Sequence, residues 1–252
     1  MPTVDMNRRL WSGYDWKEGG EEWSANWGNT MNLWHGTLMP RIGGSLGDVR
    51  VLEIAPGYGR MTAFLKNFCR SLTLVDIAQN CIDHCRQRFD REEHIEYFVN
   101  NGRSLSFIDD ESIDFVFSFD SLVHADLDVV TDYLAEIQRI LVPGGRAFIH
   151  HSNLEALLCD ENVNIKQQST HLRARDVSAE KIAQVVAQFD QLECHTQELI
   201  SWDESELLID CLSSFIRRES PSSALPIRFE NPNFYNQARN LKVLSEQYAL
   251  KV

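Results

Sequence analysis

Val49-Arg50-Val51-Leu52-Glu53-Ile54-Ala55-Pro56-Gly57-Tyr58-Gly59-Arg60 is the stretch whose reading organises the chain. Val49, Val51, Leu52 and Ile54 make a mostly β-branched apolar run, as a strand buried on both faces of a parallel sheet requires. Gly57 and Gly59 then permit a sharp turn and let a ligand approach with no Cβ in the way. From Met61 the apolar residues Met61, Phe64, Leu65 and Phe68 recur at three and four, which predicts a helix beginning where the glycines end. A strand, a Gly-x-Gly turn and a helix form a nucleotide-binding element, because a helix start offers unpaired N–H groups and partial positive charge. The same letters also suit an ordinary strand-to-helix connection. Roughly 20 residues on, Leu72-Thr73-Leu74-Val75 runs into Asp76, the place where a ribose diol is bound at the end of a second strand. Thr62 stands where a dinucleotide fingerprint has its third glycine, which argues against a bound pyrophosphate.

Val51 to Gly59, taken with Asp76, resembles the first two motifs of class I S-adenosylmethionine-dependent methyltransferases, where an acid precedes the Gly-x-Gly. A second block strengthens the likeness. Ile113-Asp114-Phe115-Val116-Phe117-Ser118-Phe119 reads as a fourth strand, Tyr133, Ile137, Ile140 and Leu141 as a helix stripe, and Val142-Pro143-Gly144-Gly145 as the stop before a fifth strand, Arg146 to His150. These stand in the family's order and spacing, so the resemblance spans about residues 49–152. It implies an α/β fold, with a Rossmann-like seven-stranded sheet, parallel with one antiparallel strand, flanked by helices. It also implies S-adenosyl-L-methionine as cofactor, bound by Glu53, Ala55, Gly57, Gly59, Asp76, Ile77, Asn101, Gly102 and Phe119. In the family an acidic or amide side chain at the turn after the third strand meets the adenine amine, and Asn101 matches that place. A turn residue tolerating a left-handed backbone predicts the same letters. The run Tyr14-Asp15-Trp16, Gly20 to Ser24 and Trp27-Gly28 is similar to the start of bacterial methyltransferases that modify sugars and small natural products.

At 252 residues the chain suits one α/β domain with additions. We divide it into an N-terminal helical cap (1–45), a methyltransferase domain (46–218) and a C-terminal extension packing on that domain (219–252). The formal charge of -13 would repel a phosphate backbone, so neither nucleic acid nor an anionic membrane surface is an expected partner. A small-molecule methyl acceptor is expected, on a monomer or homodimer. Six cysteines without a Cys-x-x-Cys, and no signal peptide, point to reduced thiols and a cytoplasmic location. Cys81 and Cys85 read as two half-buried small side chains, since His84 falls on another helical face. No apolar run approaches the ~18 residues of a membrane span.

Trp11, Trp16, Trp23, Trp27 and Trp34 are five of the chain's six tryptophans. Spacings such as Trp23–Trp27–Trp34 and Met31–Trp34–Leu38 fit helical faces packing onto the domain, while one or two rings could line a lid over the cofactor's methyl group. Ile77 to Phe89 reads as a helix and Ile95 to Val99 as the third strand. Residues 153–177 read as a polar loop, Ser178 as the cap of a helix carrying Ile182, Val185, Val186 and Phe189. Leu192–Ile200 and Leu207–Ile216 form the closing antiparallel pair. A tail with Pro221, Pro226 and Pro232 crosses the surface to a last short helix near Asn236–Tyr248.

Methyl transfer from a sulfonium is an in-line displacement, so the protein must hold the acceptor opposite the sulfur and remove a proton from a hydroxyl. Asp120, His124, His150 and His151 lie along the strand ends and are the candidate catalytic bases. Each has a bland alternative: Asp120 as a helix cap, His124 as a helix-start residue, and the doublet with at most one ring facing the cleft. Asp120 with Asp126 or Asp128 could offer oxygen ligands, but these acids equally suit a solvated helix face, and no metal is expected. The resulting expectation is methyl transfer to a small molecule, at a hydroxyl oxygen of a sugar or secondary metabolite. Alternatives are N-methylation of a small amine or amino-acid-derived metabolite, a non-catalytic cofactor-binding module, and a nicotinamide oxidoreductase.

Overall fold

Alternation of apolar side chains along each strand decides how the sheet is covered. The computed structural model describes residues 3–158, 172–222 and 224–249. Its strands are β1 (Arg50–Ile54), β2 (Ser71–Asp76), β3 (Ile95–Val99), β4 (Ile113–Ser118), β5 (Leu141–Ser152), β6 (Leu192–Ile200), β7 (Asp210–Arg217) and β8 (Ile227–Asn231), in the order β3-β2-β1-β4-β5-β7-β6-β8. β7 runs against β5 and β6, and the other neighbours pair in parallel. The expected seven strands are present, and β8 adds an eighth at the edge beside β6. Four of its five residues are exposed, and Ile227 and Phe229 are the only alternating apolar pair in it, too short a pattern to mark a strand in a proline-rich tail.

Helices are α1 (Val4–Gly13), α2 (Thr30–Leu33), α3 (Met39–Ile42), α4 (Thr62–Leu65), α5 (Gln79–Arg88), α6 (Leu127–Ile140), α7 (Leu154–Leu158), α8 (Ala179–Val186) and α9 (Phe234–Tyr248). Leu52, Ile54, Val75, Val116 and Ile149 point to one core with Val130, Leu134 and Ile137 of α6 and Ile182 of α8. Val51, Leu72, Leu74, Phe115 and Phe117 point to the other, filled by Ile82, Leu65 and the N-terminal Trp27, Trp34 and Leu38. Both faces are therefore closed, as parallel strands demand. The helix expected from Met61 is one short turn, α4. β5 begins at Leu141, earlier than expected, because Leu141 pairs with Ile113 before a register shift absorbs the Pro-Gly-Gly turn.

The N-terminal segment is less regular than its spacing suggested. A 3₁₀ turn at Glu21–Trp27 and a π turn at Trp34–Leu38 interrupt the α pattern. Met31, in α2, lies off the buried stripe of Trp34 and Leu38 and is 61 % exposed. α9 packs on this segment. Phe234 lies 5.9 Å from the Trp27 ring and 5.9 Å from that of Trp202, and a Cβ on Gly36 would collide with the Leu241 side chain. Of the loop expected at 153–177, α7 and residues 172–177 are described, whereas 159–171, with Cys159, lie outside the described residues. Replacing the fully buried Leu134 with Ala is expected to cost ~2–5 kcal/mol of unfolding free energy. Val243→Ala on the exposed side of α9 should stay within about 0.5 kcal/mol. Urea titrations of both variants followed by circular dichroism check the contrast.

Candidate active site

An open parallel sheet leaves a crevice past the carboxyl ends of its strands, and a cavity of about 370 Å³ lies there. Glu53 and Asp76, from the ends of β1 and β2, stand on its wall. Glu53 is buried and accepts a hydrogen bond from Thr62 Oγ1 at 2.6 Å. Burial pushes its carboxyl up to about 8, the Thr62 bond opposing and the charge of Asp76 adding to the rise. The residue that replaces a third glycine is thus the partner of the acid before the turn. Asp76 accepts from the amides of Gly57 at 3.2 Å and Ala78 at 2.9 Å. Burial raises it to about 6, with the amides of Ala78, Gly57 and Ile77 pulling the other way.

The rim is tied across strands. Ala55 and Asp120 both have left-handed backbones, φ 57° and 58°. Ser121 Oγ donates to Ala55 O at 3.0 Å and Ser118 Oγ to Ile54 O at 3.1 Å, which locks the end of β4 to that of β1. Arg60 pairs with Asp120 at 2.9 Å and also donates to Ser24 Oγ at 2.9 Å. Ser24 shares a 2.8 Å bond with Thr30, which in turn donates to Glu21. Through this chain of bonds the N-terminal segment is fastened to the strand ends. Trp16 presses on the glycine turn, where a Cβ on Gly57 would lie 2.9 Å from its ring. It stacks on Tyr58 with centroids 4.6 Å apart, and Tyr58 stacks on His84 at 3.8 Å.

Of the residues singled out in the sequence, Glu53, Ala55, Gly57, Asp76, Ile77, Gly102, Phe119, Asp120 and His124 line this cavity. Gly59 does not; a Cβ there would meet the Phe89 ring at 2.6 Å, so its role is close packing of the turn on the residue that ends α5. Asn101 is exposed and is not among the residues lining the cavity; its Oδ1 accepts from the amides of Arg103 at 3.0 Å and Ser104 at 2.8 Å in an Asx turn, without the left-handed backbone of its alternative reading.

The histidine doublet is fully buried and neither ring stands on the cavity wall. His150 Nδ1 accepts from the Asp120 amide at 3.1 Å, and Nε2 lies 3.2 Å from Asp210 Oδ2. Its ring sits behind Phe119 and Trp202, at 5.0 and 4.8 Å. Burial alone would raise Asp210, but the bidentate Arg173 at 2.6 and 2.7 Å and the His150 contact hold it far below the usual carboxylate range. His151 turns to the other face of β5 and bonds Ser213 Oγ and Ser152 O, both at 2.8 Å. Burial lowers it to about 4, so it is neutral at pH 7. The expected base in this doublet is replaced by two rings that hold the strand end together.

His124 is on the wall, with Nδ1 3.2 Å from Leu172 O and its ring 5.3 Å from that of Trp11. Trp11, Trp16, Trp23 and Trp202 surround the remaining space, joined by Glu22, Arg60 and Arg173. Sequence reasoning missed these last three residues and Trp202. Arg60 directly follows the glycine turn, which was a signal, but Arg173 and Trp202 come from connections without periodicity. Among the described residues no group of three or more His, Cys, Asp or Glu could hold a metal ion. Asp126, one of the carboxylates considered for a metal, caps α6 by accepting from the Val129 amide at 3.2 Å. No described helix is long and apolar enough to cross a membrane.

Comparison with known proteins places this geometry. Residues 52–149 match the family model described as a methyltransferase domain. The chain is 33 % identical over 112 residues to the biotin biosynthesis bifunctional protein BioHC of Cellvibrio japonicus, a match covering 44 % of this chain and 21 % of that protein. The chain therefore spans about a fifth of the length of that curated relative. Two solved structures share the fold. The N-methyltransferase NodS from Bradyrhizobium japonicum, in complex with S-adenosyl-L-homocysteine, superposes with a TM-score of 0.60 at 18 % identity over 87 % of this chain and 100 % of its own. The geranyl diphosphate C-methyltransferase from Streptomyces coelicolor gives 0.64 at 14 % identity over 86 % and 98 %. Residues 52–149 are thus similar in sequence to a methyltransferase domain, and the sheet and its helices share the fold of these solved methyltransferases.

Proposed function

We propose that this protein transfers a methyl group from S-adenosylmethionine to a hydroxyl oxygen of a small molecule, a sugar or secondary metabolite. The observation that supports the cofactor assignment best is Asp76: a carboxylate buried at the cavity wall, bonded to backbone amides and suited to accept from a neutral diol. Glu53, Gly57, Ile77 and Gly102 would complete the cofactor's surroundings, and Phe119 would cover it from β4. When bound, the cofactor supplies an electrophilic methyl on a sulfonium.

The chain's own work is to orient the acceptor, exclude water and accept its proton. His124 on the cavity wall is the candidate base, and Asp120 is held by Arg60. The indole walls favour a dry cavity in which a hydroxyl is easily aligned. A second reading, methylation of an amine, is favoured by the four indoles and by Glu22 on the same wall. The acidic chain and its unbridged cysteines Cys69, Cys81, Cys85, Cys194 and Cys211 support a cytoplasmic enzyme that avoids nucleic acid.

S-adenosylhomocysteine at 100 times its dissociation constant should stabilise the protein by roughly 2.7 kcal/mol in a thermal shift, and NAD should not. Asp76→Ala should weaken S-adenosylhomocysteine about tenfold or more by calorimetry, since hydrogen bonds to a charged group contribute ~1.5–3 kcal/mol. Full-strength binding by that variant would remove the basis of the cofactor assignment. His124→Asn is expected to lower kcat on a hydroxyl acceptor by about 10²–10⁴ while S-adenosylhomocysteine affinity holds.

The two raised carboxyls also give the fold a pH dependence. Their folded values, about 6 for Asp76 and about 8 for Glu53, exceed the unfolded ones, so the protonated forms favour the fold. That contribution is complete below about pH 4 and is lost as pH rises through about 6 and then about 8. Unfolding free energy measured in urea at several pH values should therefore decline less steeply across this window in Glu53→Gln than in the parent.

A further inference from the structure

Glu22 is a wall residue that the fold does not use fully. Its Oε1 accepts a hydrogen bond from Tyr14 OH at 3.0 Å, while Oε2 is buried with no hydrogen-bond partner. A carboxylate oxygen shut away from water and left unpaired is destabilising, so a built site is expected to supply its donor. Around Glu22 the aromatic rings form one cluster: Tyr14 lies 4.9 Å from Trp16 with its edge toward it, 5.9 Å from Trp23 and 5.6 Å from Trp11. Ring faces beside a single unpaired carboxylate select a cation with several N–H donors. The cations already on the wall are committed elsewhere, Arg60 to Asp120 and Arg173 to Asp210.

We infer that Glu22 Oε2 is the ammonium-binding group of this cavity, receiving a primary or secondary alkylammonium against the Trp16 and Trp23 rings. The inference rests on the cofactor reading above, because that cavity can take an ammonium from two sources: the aminoacyl end of the cofactor, or an amine on the acceptor. Glu22 comes from the 3₁₀ turn that Arg60 fastens through Ser24, so binding there would draw on the same fastening.

The test uses the full chain, its Glu22→Gln variant and Tyr14→Phe, with three probes in calorimetry and indole fluorescence: S-adenosylhomocysteine, 5′-methylthioadenosine, which lacks the aminoacyl group, and butylammonium with and without the first. Weakening of S-adenosylhomocysteine by about tenfold or more in Glu22→Gln, with 5′-methylthioadenosine unchanged, assigns the ammonium to the cofactor. Unchanged nucleoside binding with loss of the butylammonium response assigns it to the acceptor. Tyr14→Phe keeps Oε2 and should retain most of the affected binding, whereas a merely structural Tyr14–Glu22 contact would make the two variants alike. Glu22→Gln that matches the parent with all three probes overturns the inference. A parent that ignores both nucleosides would instead overturn the cofactor reading, and the butylammonium arm would still judge Glu22.

Discussion

A carboxylate buried without a cation constrains this molecule more than any other single group. Asp76 ends an interior strand, where ionisation is expensive unless every lone pair is met. The amides that meet it come from Gly57 and Ala78, so the glycine turn has to fold back toward β2, and Gly57 takes a left-handed φ of 58° to do so. Glu53 is then held close to a second acid, which adds to the rise that burial imposes on it, and Thr62 is placed to donate to it. One buried carboxylate thus accounts for the shape of the turn and adds to the rise that burial imposes on its neighbour Glu53.

The second set of constraints runs outward from Asp120. Its side chain anchors Arg60, Arg60 reaches Ser24, and Ser24 leads through Thr30 to Glu21. Its backbone amide holds His150, and His150 meets Asp210 and through it Arg173. Two polar chains therefore meet at the end of β4, one reaching the N-terminal segment and the other reaching Asp210 at the start of β7 and Arg173 on the cavity wall. Groups in such chains lose much when one member is removed, since each leaves a buried partner unmet.

How much of this was legible follows from where the information sits. The alternation of Val51, Leu52, Phe115 and Val116 and the glycine turn are local, so the parallel sheet, the crevice and Asp76 could be read directly. β8 could not, because Ile227 to Asn231 is exposed along nearly its whole length and gains its order from pairing with β6. Asn101 and Gly59 were given ligand roles that their neighbours instead absorb, one in an Asx turn and the other against Phe89. His150 and His151 were read from position on a strand, yet which partners fill their ring nitrogens depends on Asp210 and Ser213, about sixty residues away and brought alongside only by the pairing of β5 with β7. Arg173 and Trp202 were invisible for the same reason, since contacts across long separations leave no periodic trace.

The left-handed pair Ala55 and Asp120 gives the cavity an asymmetry of stiffness. Its floor is strand ends cross-tied by Ser118 and Ser121, on backbone that resists change. Its roof is a ten-residue helix followed by brief turns of mixed pitch, none of which would persist alone. Guests of different girth would therefore be accommodated by rearrangement overhead, with the strand-end floor below keeping its dimensions.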